Sequence, residues 1–231
     1  MSYVEKKGNI FNTKAMAVVN TVNCVGVMGK GIALEFKMRY PEMFKEYQKI
    51  CFQKLLKPGQ ILPYRKSMPW ILNFAIKDDW KDPSKVEWIE ETLYKFCNTY
   101  KQLGITSIAF PWMGAMNGGI PIETIKSITR KYLKGLDDIE IEVYEFDTAA
   151  TDPLFENLIR YKDAPTKYLS EKSNIQERYW IRILELINLQ KANSLYELCY
   201  YKVNDKRVIG KTNIERLYVF LSKDVWLSTM K

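Results

Sequence analysis

The sequence predicts an α/β fold: a three-layer α/β/α sandwich around a mixed central sheet, followed by a small, mainly helical C-terminal unit. Three observations point there. Apolar runs of strand length alternate with longer stretches of helical periodicity. One of those runs, residues 70–76, is almost unbroken in apolar residues, as strands buried on both faces are, and residues 105–110 read as another buried strand. Glycine-rich loops follow strands, at the carboxyl ends where open α/β sheets bind ligands. The expected domains are residues 1–150, a linker with a short helix at 151–165, and a small unit at 166–231.

Taken in order, residues 3–7 read as an edge strand, and Gly8, Asn9 and Ile10 turn out of it before a buried strand at 15–22. Asn9 then lies near the crevice, although an asparagine there also serves as a simple turn residue. That buried strand ends in Asn20, Thr21 and Val22, and after Asn23 the chain runs through Gly26, Val27, Met28, Gly29, Lys30 and Gly31 into a helix opened by Ile32. Strand, glycine loop and helix in immediate succession read as an anion cradle, because loop amides and a helix N-terminus both favour negative charge. Neither the dinucleotide fingerprint nor the Walker pattern fits, since Lys30 is followed by Gly31 and Ile32 with no Ser or Thr for magnesium. A plain strand-to-helix connection is the competing reading.

Residues 32–40 continue as a helix, Pro41 opens a second to about residue 54, and Pro58 with Gly59 ends that unit. Strands follow at 61–64 and 70–76, the second leaving Ile76 and Lys77 at its carboxyl end and so in the same crevice. A lysine followed by Asp78 and Asp79 is also what a solvated ion pair looks like. Ser84 and Glu87 have capping-box spacing at the start of a helix at 85–103, which Gly104 stops. The strand at 105–110 then gives way to a second glycine loop containing Gly114, Ala115, Met116, Asn117, Gly118 and Gly119. Two such loops facing one another clasp a diphosphate from both sides. Pro121 and a helix at 122–133, then a strand at 139–146, complete the sheet.

Past residue 147 the composition changes. The run 147–153 caps a short helix near 154–161, residues 163–165 read as a linker, a strong helix spans 175–190, another segment spans 194–201, and 206–220 fits strand or helix. Tyr and Trp cluster here with Lys and Arg, a composition that could stack on single-stranded DNA, but aromatic stripes at helical spacing are far more often core or partner-binding surface.

Composition bounds the chemistry. With 231 residues, 47% hydrophobic and 27% charged, the chain buries a real core. No apolar run approaches a membrane span and the N-terminus lacks a signal-peptide core, so a cytoplasmic protein is expected. Four cysteines without a C-x-x-C pair and no histidine make a zinc site unexpected and exclude a histidine general base; no metal or cofactor is expected. The net charge of +8 suits a polyanionic partner, but it is spread along the chain with no basic tail.

Gly8 to Phe11, the run 20–36 with Arg39, Tyr40 and Pro41, residues 70–74 with Lys77 and Trp80, and the stretch 104–119 resemble, in this order, the macrodomain family. Within it they resemble the DarG branch, DNA ADP-ribosyl glycohydrolases that act as antitoxins to DarT toxins. The resemblance implies ADP-ribose as ligand and product, with Asn9 toward the adenine, Asn20 and Asn23 on the distal ribose, and the two glycine loops on the diphosphate. It implies Lys77 as the catalytic lysine, acting as a nucleophile or as a stabilising cation. It further implies ADP-ribosylated single-stranded DNA as substrate, cleaved at the bond to thymine, and a DarT-like toxin as partner. Asn9 stands where many macrodomains have Asp and where the DarG branch has Asn, while the sequence departs from the family in losing the Pro, Thr and His around Lys77 and in carrying Ala115 and Met116 where Cys and Gly are usual. Two other readings stay open: a binding module that recognises ADP-ribose without cleaving it, and a glycohydrolase acting on ADP-ribosylated protein.

Overall fold

The computed structural model describes residues 2–151 and 153–229, with side chains through residue 222. The chain divides into two compact units, Met1–Phe146 and Asp147–Lys231.

The first unit is built on a six-stranded sheet, β1 (Tyr3–Gly8), β2 (Ala17–Val22), β3 (Ile61–Tyr64), β4 (Trp70–Ala75), β5 (Ser107–Pro111) and β6 (Glu140–Phe146), in the order β1-β6-β5-β2-β4-β3. All neighbours are parallel except β3 and β4, which makes the sheet mixed and sets the carboxyl ends of five strands along one edge. Alternation along the strands divides the core. Ala17, Val19, Leu72, Phe74, Ile108 and Phe110 face one side, where Ile89, Leu93 and Phe96 of α3 (Val86–Thr99) and Ile125 and Ile128 of α4 (Ile122–Leu133) cover them. Val18, Ile71 and Ala109 face the other, under Phe36 of α1 (Gly31–Arg39) and Met43 and Tyr47 of α2 (Pro41–Phe52). Those two helical layers complete the expected three-layer sandwich.

The capping box does not form. Lys85 is the N-cap of α3 and no side chain caps it. The backbone amide of Ser84 donates to the carbonyl of Gly118 at 2.9 Å, and the Ser84 hydroxyl is buried beneath the second glycine loop instead of reaching the helix. That helix is also shorter than 85–103, because residues 100–104 close it as a turn.

The second unit begins at Asp147, so residues 151–165 belong to its packing and are not a spacer; Asp152, within the expected capping run, lies outside the described residues. Its helices are α5 (Pro153–Ile159), α6 (Thr166–Ser173), α7 (Glu177–Asn188), α8 (Leu195–Tyr200) and α9 (Lys211–Thr229), with a two-stranded hairpin of β7 (Lys202–Val203) and β8 (Lys206–Arg207). Leu154, Phe155 and Leu158 of α5 are buried, and Asn157 donates to the Leu221 carbonyl of α9 at 3.0 Å. The core aromatic is Trp180, whose indole N–H donates to Ser173 and whose ring meets Phe220 edge-on. The segment left open between strand and helix resolves into the second hairpin strand and then α9.

Candidate functional site

The parallel sheet gathers the sequence-predicted residues from four places. Gly8 ends β1, with Asn9 and Ile10 following; Asn20, Thr21, Val22 and Asn23 end β2; Ile76 and Lys77 leave β4; residues 112–119 leave β5. Although β1 is two strands removed from β5, the short 3-10 turn after it (Ile10–Asn12) crosses back toward the first loop. There Phe11 packs on Phe36 of α1 at 4.9 Å between ring centroids.

The first glycine loop is held from within. Asn23 accepts from the amides of Val25 and Val27 at 3.1 and 3.2 Å and donates to the Val27 carbonyl, while Tyr47 donates to both its backbone and side-chain oxygens. Gln48 adds a hydrogen bond to the Gly26 carbonyl at 3.1 Å. These bonds shape the loop through residues 23–27 and leave Val27, Gly29 and Lys30 exposed, with Met28 buried beneath. Gly31 opens α1 with φ +56°; Lys30, its N-cap, is extended and makes no side-chain cap, and the first turn contains no acidic residue. The start of α1 thus presents uncapped amides and no competing carboxylate to an anion.

The second loop meets the first at this point. A Cβ on Gly31 would stand 2.5 Å from the Asn117 side-chain nitrogen, so a larger residue would push that side chain aside in addition to the strain of φ +56°. Gly118 is pinned more tightly, a Cβ there falling 2.3 Å from the Gly114 carbonyl oxygen, whereas Gly119 faces open space. Ala115 and Met116 fit without left-handed backbone; the positive φ values in this loop belong to Gly114 and Gly119. Met116 is exposed at the rim.

Lys77 ties the end of β4 to the second loop. Its ammonium donates to the Asn117 carbonyl at 2.7 Å, and no ion pair with Asp78 or Asp79 is formed among the described residues. Those acids are used elsewhere: the Asp78 carbonyl accepts from Cys24 at 2.9 Å, and the Asp79 carboxylate accepts from the Lys81 amide. Partial burial lowers the Lys77 pKa from the ordinary lysine range, against a smaller opposing pull from Asp82. Cys24 is no rival nucleophile, because burial pushes its thiol up to about 12. Trp80 stands half-exposed beside the site with Lys81 over its ring.

Two asparagines expected to face a ribose are turned inward. Asn20 is fully buried and donates to the Asn73 side chain at 2.8 Å, and Asn23 spends its amide on the loop. Asn9 caps the short turn after β1 by accepting from the Phe11 amide at 3.0 Å, the turn role its residue type also allowed. Phe146, opposite Gly8 at the end of β6 and 38% exposed, is an aromatic at the crevice that the sequence reading passed over. Its signal was available: it ends a parallel strand.

Among the described residues, no group of three His, Cys, Asp or Glu side chains is placed to hold a metal ion, and no helix is long and apolar enough to cross a membrane.

Residues 19–129 match the Macro domain family model. A DNA ADP-ribosyl glycohydrolase from Thermus aquaticus is 39% identical over 143 residues, covering 60% of this chain and 40% of the relative. The chain therefore spans about two fifths of the length of the curated relatives it matches. Among solved structures, the macrodomain of Thermus aquaticus DarG superposes with a TM-score of 0.59 at 38% identity, over 63% of this chain and 98% of that one. Thermosipho africanus DarTG in complex with ADP-ribose matches with a TM-score of 0.58 at 28% identity, over 66% of this chain and 44% of that one.

Proposed function

The chain belongs to the macrodomain family, and from that premise we propose that its first unit binds ADP-ribose and hydrolyses the N-glycosidic bond joining it to thymine in single-stranded DNA. The observation that carries the reading is Lys77: a partly buried amine at the end of β4, tied to the second glycine loop, in a chain without histidine. The relatives named as DNA ADP-ribosyl glycohydrolases support the reaction class.

In this reading the diphosphate lies between the start of α1, with its uncapped amides, and residues 114–119. The adenine lies toward the carboxyl ends of β1 and β6, where Phe146 offers a stacking face and Asn9 a polar edge. The distal ribose then reaches Lys77, where two roles fit. As a nucleophile, the neutral amine attacks C1″, the bond to the base nitrogen breaks, the base leaves with the bonding electrons and takes a proton, and water releases the sugar from the lysine. As a cation, the ammonium stabilises negative charge on the departing base while water attacks. The lowered pKa of Lys77 favours the first role, since it raises the fraction of neutral amine.

No cofactor and no metal enter these steps. A DarT-type DNA ADP-ribosyltransferase is the partner this activity would oppose, and a cytoplasmic setting accords with a reaction on cellular DNA. The fusion of transferase and glycohydrolase in the Thermosipho africanus relative supports the pairing. Parallel incubation with ADP-ribosylated thymidine DNA and ADP-ribosylated protein tests the proposal. Release from DNA alone is the expected result, release from protein alone would reassign the substrate, and ADP-ribose binding with no release would make this unit a recognition module.

A further inference from the structure

We propose that the second unit carries a binding surface for single-stranded nucleic acid, built from a Tyr196–Tyr200–Arg207 column and the cations of the β7–β8 hairpin. α8 sets Tyr196 and Tyr200 one turn apart, so the rings stack with centroids 4.5 Å apart and planes 25° from parallel. The chain then reverses through Asn204 and Asp205, both with positive φ, and this tight turn lays the Arg207 guanidinium 4.5 Å from the Tyr200 ring centroid. Three planar groups thus form a column whose rings are half-buried and whose guanidinium is exposed.

The charge around the column is net positive. Lys202, Lys206 and Arg207 are all exposed, and among the described residues none has a carboxylate partner. Glu197, which accepts from the Asn193 amide, and Asp205 at the turn offset part of this charge, and the three cations still outnumber the two acids.

Charge and rings together select the partner. Phosphates suit Lys202 and Lys206, and the unpaired bases of a single strand extend the stack, each base–aromatic contact adding measurable affinity. A duplex hides its base faces, and an acidic peptide has no use for the rings. The surface takes unmodified strands, so it stands independently of the hydrolytic reading; where both hold, it gives the protein a second grip on the strand it repairs.

Fluorescence anisotropy of the full chain with a labelled oligothymidylate tests this. Arg207→Ala should weaken binding at least about fivefold and Arg207→Lys should recover only part of it, because the ammonium keeps the charge but not the planar stack. Lys202→Ala and Lys206→Ala should each flatten the dependence of log affinity on log salt by about 0.7. ADP-ribose affinity, measured by calorimetry, should be unchanged in all four, which separates this surface from the first unit's site. These positions are exposed, so the variants fold. Strand binding insensitive to all four substitutions, or equally tight binding of duplex, would overturn the proposal. Binding of polyglutamate with the same affinity and the same dependence on these residues would make the surface a dock for an acidic protein.

Discussion

The Lys77 ammonium and the Asn117 backbone carbonyl meet at 2.7 Å, although 40 residues separate them in the chain. That bond fastens the end of β4 to the second glycine loop, while the Asn117 side chain lies against Gly31 at the start of α1. The amine and both glycine loops are therefore positioned by one another. Disturbing any of the three should be felt by the other two.

Asn23 provides a first test of this coupling. It accepts from two loop amides in part-buried bonds, so Asn23→Ala leaves those donors without this acceptor, Tyr47 keeping the backbone carbonyl of residue 23, and should cost about 1–3 kcal/mol. Denaturant unfolding should show that loss together with weaker ADP-ribose binding. Weaker binding at unchanged stability would mean that Asn23 touches ligand and does not shape the loop.

Gly119→Glu should lower ADP-ribose affinity at least about 100-fold, by setting a carboxylate where the diphosphate charge must lie. Gly119 has φ +78° and a Cβ there meets nothing closer than Pro83 at 3.9 Å, so the backbone strain of roughly 1–2 kcal/mol leaves the fold intact. Gly119→Ala carries the same strain without the charge and should bind far better than the Glu variant. Equal calorimetric affinities for the two would contradict the two-loop clasp.

Much of this site was legible in the sequence, and the reasons are local. A buried apolar run ending at Lys77, and glycines following strands, place those residues at carboxyl ends by topology alone. What escaped depends on tertiary meetings: the Lys77–Asn117 bond uses a backbone carbonyl, which no side-chain pattern announces. Ser84 and Glu87 had the spacing of a cap, but the bond from the Ser84 amide to Gly118 fixes the chain before α3 in a path that buries the hydroxyl. Pro165 read as a linker residue when it is the N-cap of α6, and strands of two residues are too short for periodicity to reveal.

The unit boundary has a practical consequence. A chain ending at Phe146 should be soluble and bind ADP-ribose as the full chain does, because the sheet is complete there. A chain ending at Asp163 keeps α5 but strips it of α9, exposing Leu154, Phe155 and Leu158. Size-exclusion chromatography should show the longer fragment self-associating. Equal behaviour of the two would contradict the assignment of α5 to the second unit.

The pH dependence of cleavage distinguishes the two roles of Lys77. A nucleophile must be neutral, so the single-turnover rate should rise with pH and level off above a midpoint below the ordinary lysine range, as burial of the amine dictates. Asp82→Asn removes a pull that raises this pKa and should move the midpoint lower still. A rate that falls as pH rises through that range would assign the cationic role.

The central claim rests on Lys77→Ala, measured by single-turnover release of ADP-ribose from modified thymidine DNA beside a titration with free ADP-ribose. An amine that acts mainly in the transition state can be removed with little effect on ground-state binding. The account predicts affinity within a few-fold of wild type and release slowed by about 100-fold or more. Release at the wild-type rate by Lys77→Ala would contradict it.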